Sequence, residues 1–171
     1  MTPPLRRYLF VEQPIGGFVV NLVLNALIAW GMFRGLTTVP MWGQQSIAGD
    51  TIGTSFFLPF FTVLIATPLV LRDVRNGKAT PEHVGDRFAV VRRLPRGRLL
   101  RALVLGVVVA VIASPLAIQG FRLAGVEGIA MPAFIWVKAA YAAVLGAVLA
   151  PWIALAAFAE SAMPAAATPR R

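Results

Sequence analysis

The chain has 171 residues, of which 58% are hydrophobic and 13% are charged, and its mean hydropathy is +0.75. Soluble domains carry about 25% charged and about 45–50% apolar residues, so this chain lacks the polar residues that would cover a water-soluble globule. Its net charge of +9 is concentrated between apolar runs, which is a membrane-protein pattern. Cysteine is absent, which excludes disulfides, Cys-ligated metal sites and thiol chemistry.

Four apolar runs are long enough to cross a bilayer, at residues 15–35, 51–72, 99–120 and 133–158. A span of about 30 Å needs roughly 20 helical residues. The first run exceeds the roughly 7–15 apolar residues of a signal peptide, and no Ala-x-Ala site closes it, so we interpret it as a retained helix. The sequence therefore predicts an all-α integral membrane bundle of four transmembrane helices. We expect a single domain over residues 1–160 and a mobile tail at 161–171.

The charges between these runs predict an orientation. Thirteen basic residues lie in the N-terminal segment, in residues 72–101 and in the C-terminal tail, whereas the other two connections carry only Arg34 and Arg122. Because basic residues accumulate on the cytoplasmic side, both termini are predicted to be cytoplasmic. We expect a multi-pass protein of the bacterial cell inner membrane. Its basic segment is explained by insertion bias and by anionic lipid head groups, and nucleic acid is not an expected partner.

Polar residues inside the apolar runs are the candidate functional residues. Asn21 and Asn25 lie one turn apart in the first run, where they are expected either to hydrogen-bond a neighbouring helix or to line a polar cavity that contacts a solute. Lys138 lies near the outer end of the fourth run. We interpret it as an interfacial anchor or as one half of an ion pair, with Asp50 as the best-placed partner and Glu127 as the second; contact with an ion or substrate is the alternative. Asp50 is also predicted to cap the second helix.

Small residues recur every four positions in the third and fourth runs. We expect them to pack these two helices together, and a dimer interface is the alternative. The residues are Ala102, Gly106, Ala110 and Ser114 in the third run, and Ala142, Gly146, Ala150 and Ala154 in the fourth. Pro68 and Pro151 occupy similar depths in the second and fourth runs, so an internal duplication is a further hypothesis.

No catalytic or cofactor-binding pattern is visible. The single histidine, His83, has no ligand spacing around it, and no Gly-rich phosphate loop or Ser-His-Asp set is present. We therefore expect no enzyme activity, no cofactor and no metal. The leading hypothesis is a non-enzymatic accessory or interaction subunit with a membrane-protein partner or a second copy as its partner. The alternative is a small oligomeric transporter or channel with a polar pathway near Asn21, Asn25 and Lys138.

Overall fold

The computed structural model describes residues 3–78, 94–95 and 97–161. A short helix α1 (Pro3–Arg7) continues through a π-helical turn (Tyr8–Glu12) into α2 (Gln13–Phe33). Three long helices follow, α3 (Ile47–Arg75), α4 (Arg98–Leu123) and α5 (Met131–Ser161). Within the described residues, four helices are long and apolar enough to cross a membrane, and the first of them covers Pro4–Phe33. The prediction of an all-α chain with four such helices is confirmed to this extent.

The start of α3 differs from the prediction. Ser46, with extended backbone angles, is the N-cap, and its Oγ accepts a hydrogen bond of 3.1 Å from the backbone N–H of Gly49. A cap hydroxyl satisfies one of the first-turn N–H groups that have no partner within the helix. Asp50 therefore lies inside the first turn of α3, and its prediction as the cap is wrong. This placement turns the Asp50 carboxylate toward a neighbouring helix instead.

A short β-ribbon joins the connections that follow α2 and α4. Strand β1 (Thr38–Pro40) pairs antiparallel with β2 (Gly128–Ala130), with Val39 opposite Ile129. The sequence predicted loops here and no strands. Val39 is fully buried in a cluster that closes this end of the molecule, which we name the ribbon end. The cluster also contains Phe33, Met41, Ile47, Ala48, Met131 and Phe134.

The long helices lie side by side in the order α2, α5, α3, α4. Helix α5 packs along α2 on one side and along α3 on the other, and α3 packs along α4. The predicted packing of the third run against the fourth is therefore wrong, because the small residues of α4 face α3 and those of α5 face α2. The two helical hairpins are α2–α3 and α4–α5. If α2 is exchanged with α4 and α3 with α5, the same order results, read from the opposite edge, as expected of two copies of one hairpin. The duplication itself stays a prediction.

A second cluster closes the opposite end, which we name the far end. Leu5 and Leu9 of the first helical segment pack there against Val70 of α3 and Phe158 of α5. Arg101 of α4 is 4% exposed and donates a hydrogen bond of 2.8 Å to Glu160 of α5, which fixes the last turn of α5 at this end. The bundle is therefore connected at both ends, by the paired strands at the ribbon end and by this cluster and the Arg101–Glu160 contact at the far end.

Candidate functional site: a groove between α2 and α3

A groove of about 760 Å³ runs between α2 and α3, with α5 as its floor. It reaches from Glu12 and Gln13 at the far end to Gln44 and Gln45 at the ribbon end, so it follows almost the whole length of α2. The structure brings together in this groove all four polar residues singled out from the sequence. They are Asn21, Asn25, Asp50 and Lys138.

An ion pair lies at the ribbon-end part of the groove. The Nζ of Lys138 donates a hydrogen bond to Oδ1 of Asp50, and the two side chains are 3% and 7% exposed. The same Nζ lies 5.8 Å from the centre of the Phe33 ring on α2, within the range of a cation–π contact. Lys138 thus connects α5 with both walls of the groove. The structure agrees with the ion-pair interpretation and contradicts the interpretation of Lys138 as an anchor reaching outward.

Asn21 and Asn25 lie deeper along the groove. Each donates from Nδ2 to the backbone carbonyl one turn back in α2, over 2.8 Å to Gly17 and 3.1 Å to Asn21. The predicted hydrogen bond to a neighbouring helix is therefore wrong. Since a carbonyl only accepts, these contacts fix which amide atom is nitrogen. Among the described residues, neither amide oxygen has a hydrogen-bond partner; the two residues are over 90% buried as a whole, but their oxygens keep some accessible surface at the groove.

The amides are held at the groove by a close crossing of α2 and α5. A Cβ added at Gly17 would lie 2.7 Å from the Gly146 carbonyl oxygen, and one added at Gly146 would lie 2.3 Å from Nδ2 of Asn21. Only glycine allows this approach. The small-residue pattern was visible in the sequence, but its partner helix was not.

The rim of the groove is apolar and open to the side. Val20, Leu24 and Ile28 form the α2 rim, and Phe57, Phe61 and Ile65 form the α3 rim. All six side chains are large and hydrophobic. Val20, Leu24, Phe57 and Ile65 are each about half exposed or more. The polar groups therefore lie at the bottom of a groove whose entrance is hydrophobic.

The polar groups occupy one half of the groove's length. At 1.5 Å per residue, Asn25 lies about 12 Å and Asn21 about 18 Å from Phe33 along α2. Asp50 and Lys138 lie nearer the ribbon end, in the first two turns of their helices. Beyond Asn21 the α3 and α5 walls are mostly apolar, with Phe61, Ile65, Ala66, Leu69 and Ala150, until Gln13 and Glu12 are reached. The polar exception is Thr62, whose hydroxyl donates to the Leu58 carbonyl within α3.

Sequence reasoning missed Gly53, which lies on the α3 wall and has nothing within 4 Å of an added Cβ. Its contribution is the absence of a side chain, which leaves no polar or periodic signal in a sequence. His83, most of the basic segment and the tail lie outside the described residues. Within the described residues, no group of three or more His, Cys, Asp or Glu side chains is close enough to hold a metal ion.

Comparison with protein-family models, with curated proteins and with solved structures found no match to this chain.

Proposed function

We propose that this protein is a small, non-enzymatic membrane transporter and that the groove between α2 and α3 is its substrate pathway. One observation carries the proposal: a single groove collects Asn21, Asn25, Asp50 and Lys138 and extends along nearly all of α2. Amide oxygens that open onto a groove and lack a protein partner can accept hydrogen bonds, so they favour an occupant that has a hydrogen-bond donor.

The apolar rim bears on what moves through the groove. A solute with a polar head and an apolar chain keeps its chain among lipid-like side chains while its head passes the polar floor. The cost of carrying a polar group through an apolar layer is several kcal/mol when nothing compensates it, and groups such as Asn21 and Asn25 reduce that cost. We therefore propose an amphiphilic solute as the substrate.

We further propose that the chain crosses the bacterial inner membrane with both termini in the cytoplasm. The 13-to-2 distribution of basic residues and the even number of long apolar helices among the described residues support this orientation. The ribbon end would then face the periplasm, and the basic residues beyond the far end would meet anionic lipids. Reporter domains fused after Arg171 and within residues 37–48 should report cytoplasm and periplasm respectively. A periplasmic C-terminus would contradict the orientation.

A second candidate function is the accessory subunit, in which a partner's transmembrane helix occupies the groove. The observation that favours it is the length of the groove, because it follows α2 from Glu12 to Phe33, about the length of a membrane-spanning helix. Small residues would be expected along the whole floor in that case, since they let helices approach closely. The lining does include small residues, among them Gly16, Gly17, Gly53 and Ala150, but the rim carries the large side chains of Leu24, Phe57 and Phe61, which fit a flexible chain better than a second helix.

The test is movement of fluorescent single-chain amphiphiles across reconstituted vesicles, measured by bleaching with a reductant that does not cross the membrane. The blocking variant is Gly53→Leu, which fills the groove from a position where a side chain meets no neighbour. The matched control is Gly120→Leu on α4, which also has nothing within 4 Å and does not line the groove. We expect transport in wild type and Gly120→Leu and its loss in Gly53→Leu. Absence of movement, with one partner protein co-purifying with wild type and not with Gly53→Leu, would favour the accessory subunit.

A further inference from the structure

The unpaired atoms in the groove define what a ligand must offer. The Oδ1 atoms of Asn21 and Asn25 can accept hydrogen bonds and have no partner among the described residues, and both oxygens keep accessible surface where these residues line the groove. Each Nδ2 also keeps one N–H beyond the bond it makes within α2. A ligand group that both donates and accepts satisfies these atoms, and a hydroxyl does so.

The charges of the groove argue against an ionic ligand. Lys138 and Asp50 neutralise each other at the floor, and both side chains are buried. A ligand anion that took Lys138 would leave the Asp50 carboxylate unpaired, and a ligand cation that took Asp50 would leave the ammonium unpaired. Breaking a buried pair in this way is strongly unfavourable. Among the described residues, the one other charged residue lining the groove is Glu12 at the far end, which is over half exposed and lies 3.4 Å from Arg7.

The groove has two regions, and each suits a different part of a ligand. Asn21, Asn25, Asp50 and Lys138 occupy the ribbon-end half, and a mostly apolar channel along Phe61, Ile65 and Leu69 continues toward the far end. The volume of about 760 Å³ falls within the roughly 300–1,000 Å³ of pockets that hold one small organic molecule. The lateral opening admits such a molecule from the surrounding bilayer.

We infer that the groove binds an uncharged amphiphile with one hydrocarbon chain and a hydroxyl-bearing head group. The head lies between Asn21, Asn25 and the Lys138–Asp50 pair, and the chain follows the apolar half of the groove. This inference rests on the proposed function, because it names the substrate class of the same groove.

Photo-crosslinking in nanodiscs tests it without requiring transport. The probe is a monoacylglycerol with a diazirine in its chain, compared with chain-matched lysophosphatidic acid and lysophosphatidylcholine. We expect the monoacylglycerol to label α3 peptides that contain Phe61 to Leu69. We also expect excess unlabelled monoacylglycerol to compete, and the two phosphate-headed probes to label this segment on the order of tenfold less, the factor that about 1.4 kcal/mol produces.

Three variants assign the labelling to the groove. Asn25→Leu keeps the size of the side chain and removes the acceptor, and we expect a loss on the order of three- to tenfold, as for one or two buried hydrogen bonds. Gly53→Leu should abolish the labelling because it occupies the groove, while Gly120→Leu should retain it. Each variant is checked for an unchanged melting temperature, and Gly53→Leu supplies the answer should Asn25→Leu fail to fold.

Three results would overturn the inference. One is equal or stronger labelling by the anionic probe; another is labelling that survives both Gly53→Leu and Asn25→Leu, which would mean an adventitious lipid only. The third is labelling confined to the side of α4. The proposed function fails separately: monoacylglycerol that binds in nanodiscs but does not cross vesicles leaves this inference standing and refutes transport. Movement of charged amphiphiles without monoacylglycerol binding does the reverse.

Discussion

At both edges of the helix row, α2 with α5 and α4 with α3, a glycine allows two helices to cross closely, but the side chains at the two crossings differ. At one edge α2 crosses α5 where Gly17 meets Gly146, and at the other α4 crosses α3 where Gly106 meets the Phe56 backbone. The first crossing carries the Asn21 amide, whereas the second is covered by an aromatic ring, with a Cβ at Gly106 only 3.1 Å from Phe56 ring atoms. The same glycine-mediated crossing therefore occurs beside a polar groove at one edge and beside packed hydrophobic side chains at the other.

The filled edge shows how this chain closes a gap between helices. Phe56 stacks on Phe60, with ring centres 5.9 Å apart, and Phe60, Ala102, Leu105 and Ile153 join α3, α4 and α5 in one cluster. The other edge has Gly53, Thr54 and two asparagines at its groove. Within the described residues, the space between α2 and α3 is left open and lined by polar atoms, whereas the contact between α3 and α4 is filled around Phe56 and Phe60, so the groove is a specific local feature.

The largest effect is expected from breaking the ion pair at the groove. Lys138→Met leaves the buried Asp50 carboxylate without its partner, and we expect the free energy of unfolding to fall by about 3–5 kcal/mol. Asp50→Asn combined with Lys138→Met should recover part of this loss, with a coupling above about 2 kcal/mol in a double-mutant cycle. Unfolding in mild detergent measures it.

The control for this cycle lies at the other edge. Arg122 at the end of α4 is exposed, and Arg122→Met should change the free energy of unfolding by less than about 0.5 kcal/mol. From the sequence alone, Lys138 and Asp50 were expected at a wet interface, with a coupling below about 1 kcal/mol. A measured coupling in that lower range would show that water reaches the pair and that the groove is more polar than its side chains indicate.

A smaller loss is expected from glycine substitutions that separate helices, and its size should differ between the edges. Gly146→Leu places a side chain against Nδ2 of Asn21 and the Gly17 carbonyl oxygen, and we expect a loss of about 2–3 kcal/mol, at the upper end for overpacking. Gly106→Leu has more room, since an added Cβ lies 3.0 Å from the Phe56 carbonyl oxygen and 3.1 Å from atoms of its ring, and a loss of about 1–2 kcal/mol is expected. Melting temperatures compare them with Gly120→Leu, which should be neutral. Equal tolerance of Gly146→Leu and Gly120→Leu would refute the α2–α5 crossing.

The smallest effect concerns a hydroxyl pair that joins α3 and α5. Ser55 Oγ and the Tyr141 hydroxyl lie 2.6 Å apart, and Tyr141→Phe should cost about 0.5–1.5 kcal/mol. Thr62→Val is the control, because the Thr62 hydroxyl donates only to the Leu58 carbonyl within α3. Thermal unfolding of both variants gives the difference. If Thr62→Val cost as much as Tyr141→Phe, the hydroxyl pair would contribute nothing to holding the two helices together.

The positions of the long helices could be predicted because each run is about as long as a bilayer is thick. The residues at which the helices begin and end could not be predicted. α5 begins at Met131 and continues to Ser161, and at its last turn Glu160 accepts from Arg101, a contact between residues far apart in the chain. The strands of the ribbon are three residues long, too short for an alternating pattern to appear in the sequence.

The polar members of the site could also be predicted, because an amide or an ammonium group in an apolar run is conspicuous. Their geometry could not be predicted, since it depends on which helix lies beside which. Small-residue patterns on α4 and α5 indicate that close packing occurs, but glycine and alanine carry no information about their partner. Helix α5 packs on α2 because Gly17 and Asn21 fit against Gly146, and this fit is visible only in the three-dimensional structure.

The interleaved order of the helices has a consequence for biogenesis. Neither hairpin has an extensive interface between its own two helices within the described residues, since α2 lies against α5 and α3 lies between α5 and α4. The first hairpin therefore emerges from the ribosome long before Gly146, its principal contact, has been synthesised. Assembly waits for the last helix, as expected of a topology dominated by distant contacts. If two chains exchanged hairpins, each would complete the other with the native set of interfaces, and such a swapped dimer would need no new surface.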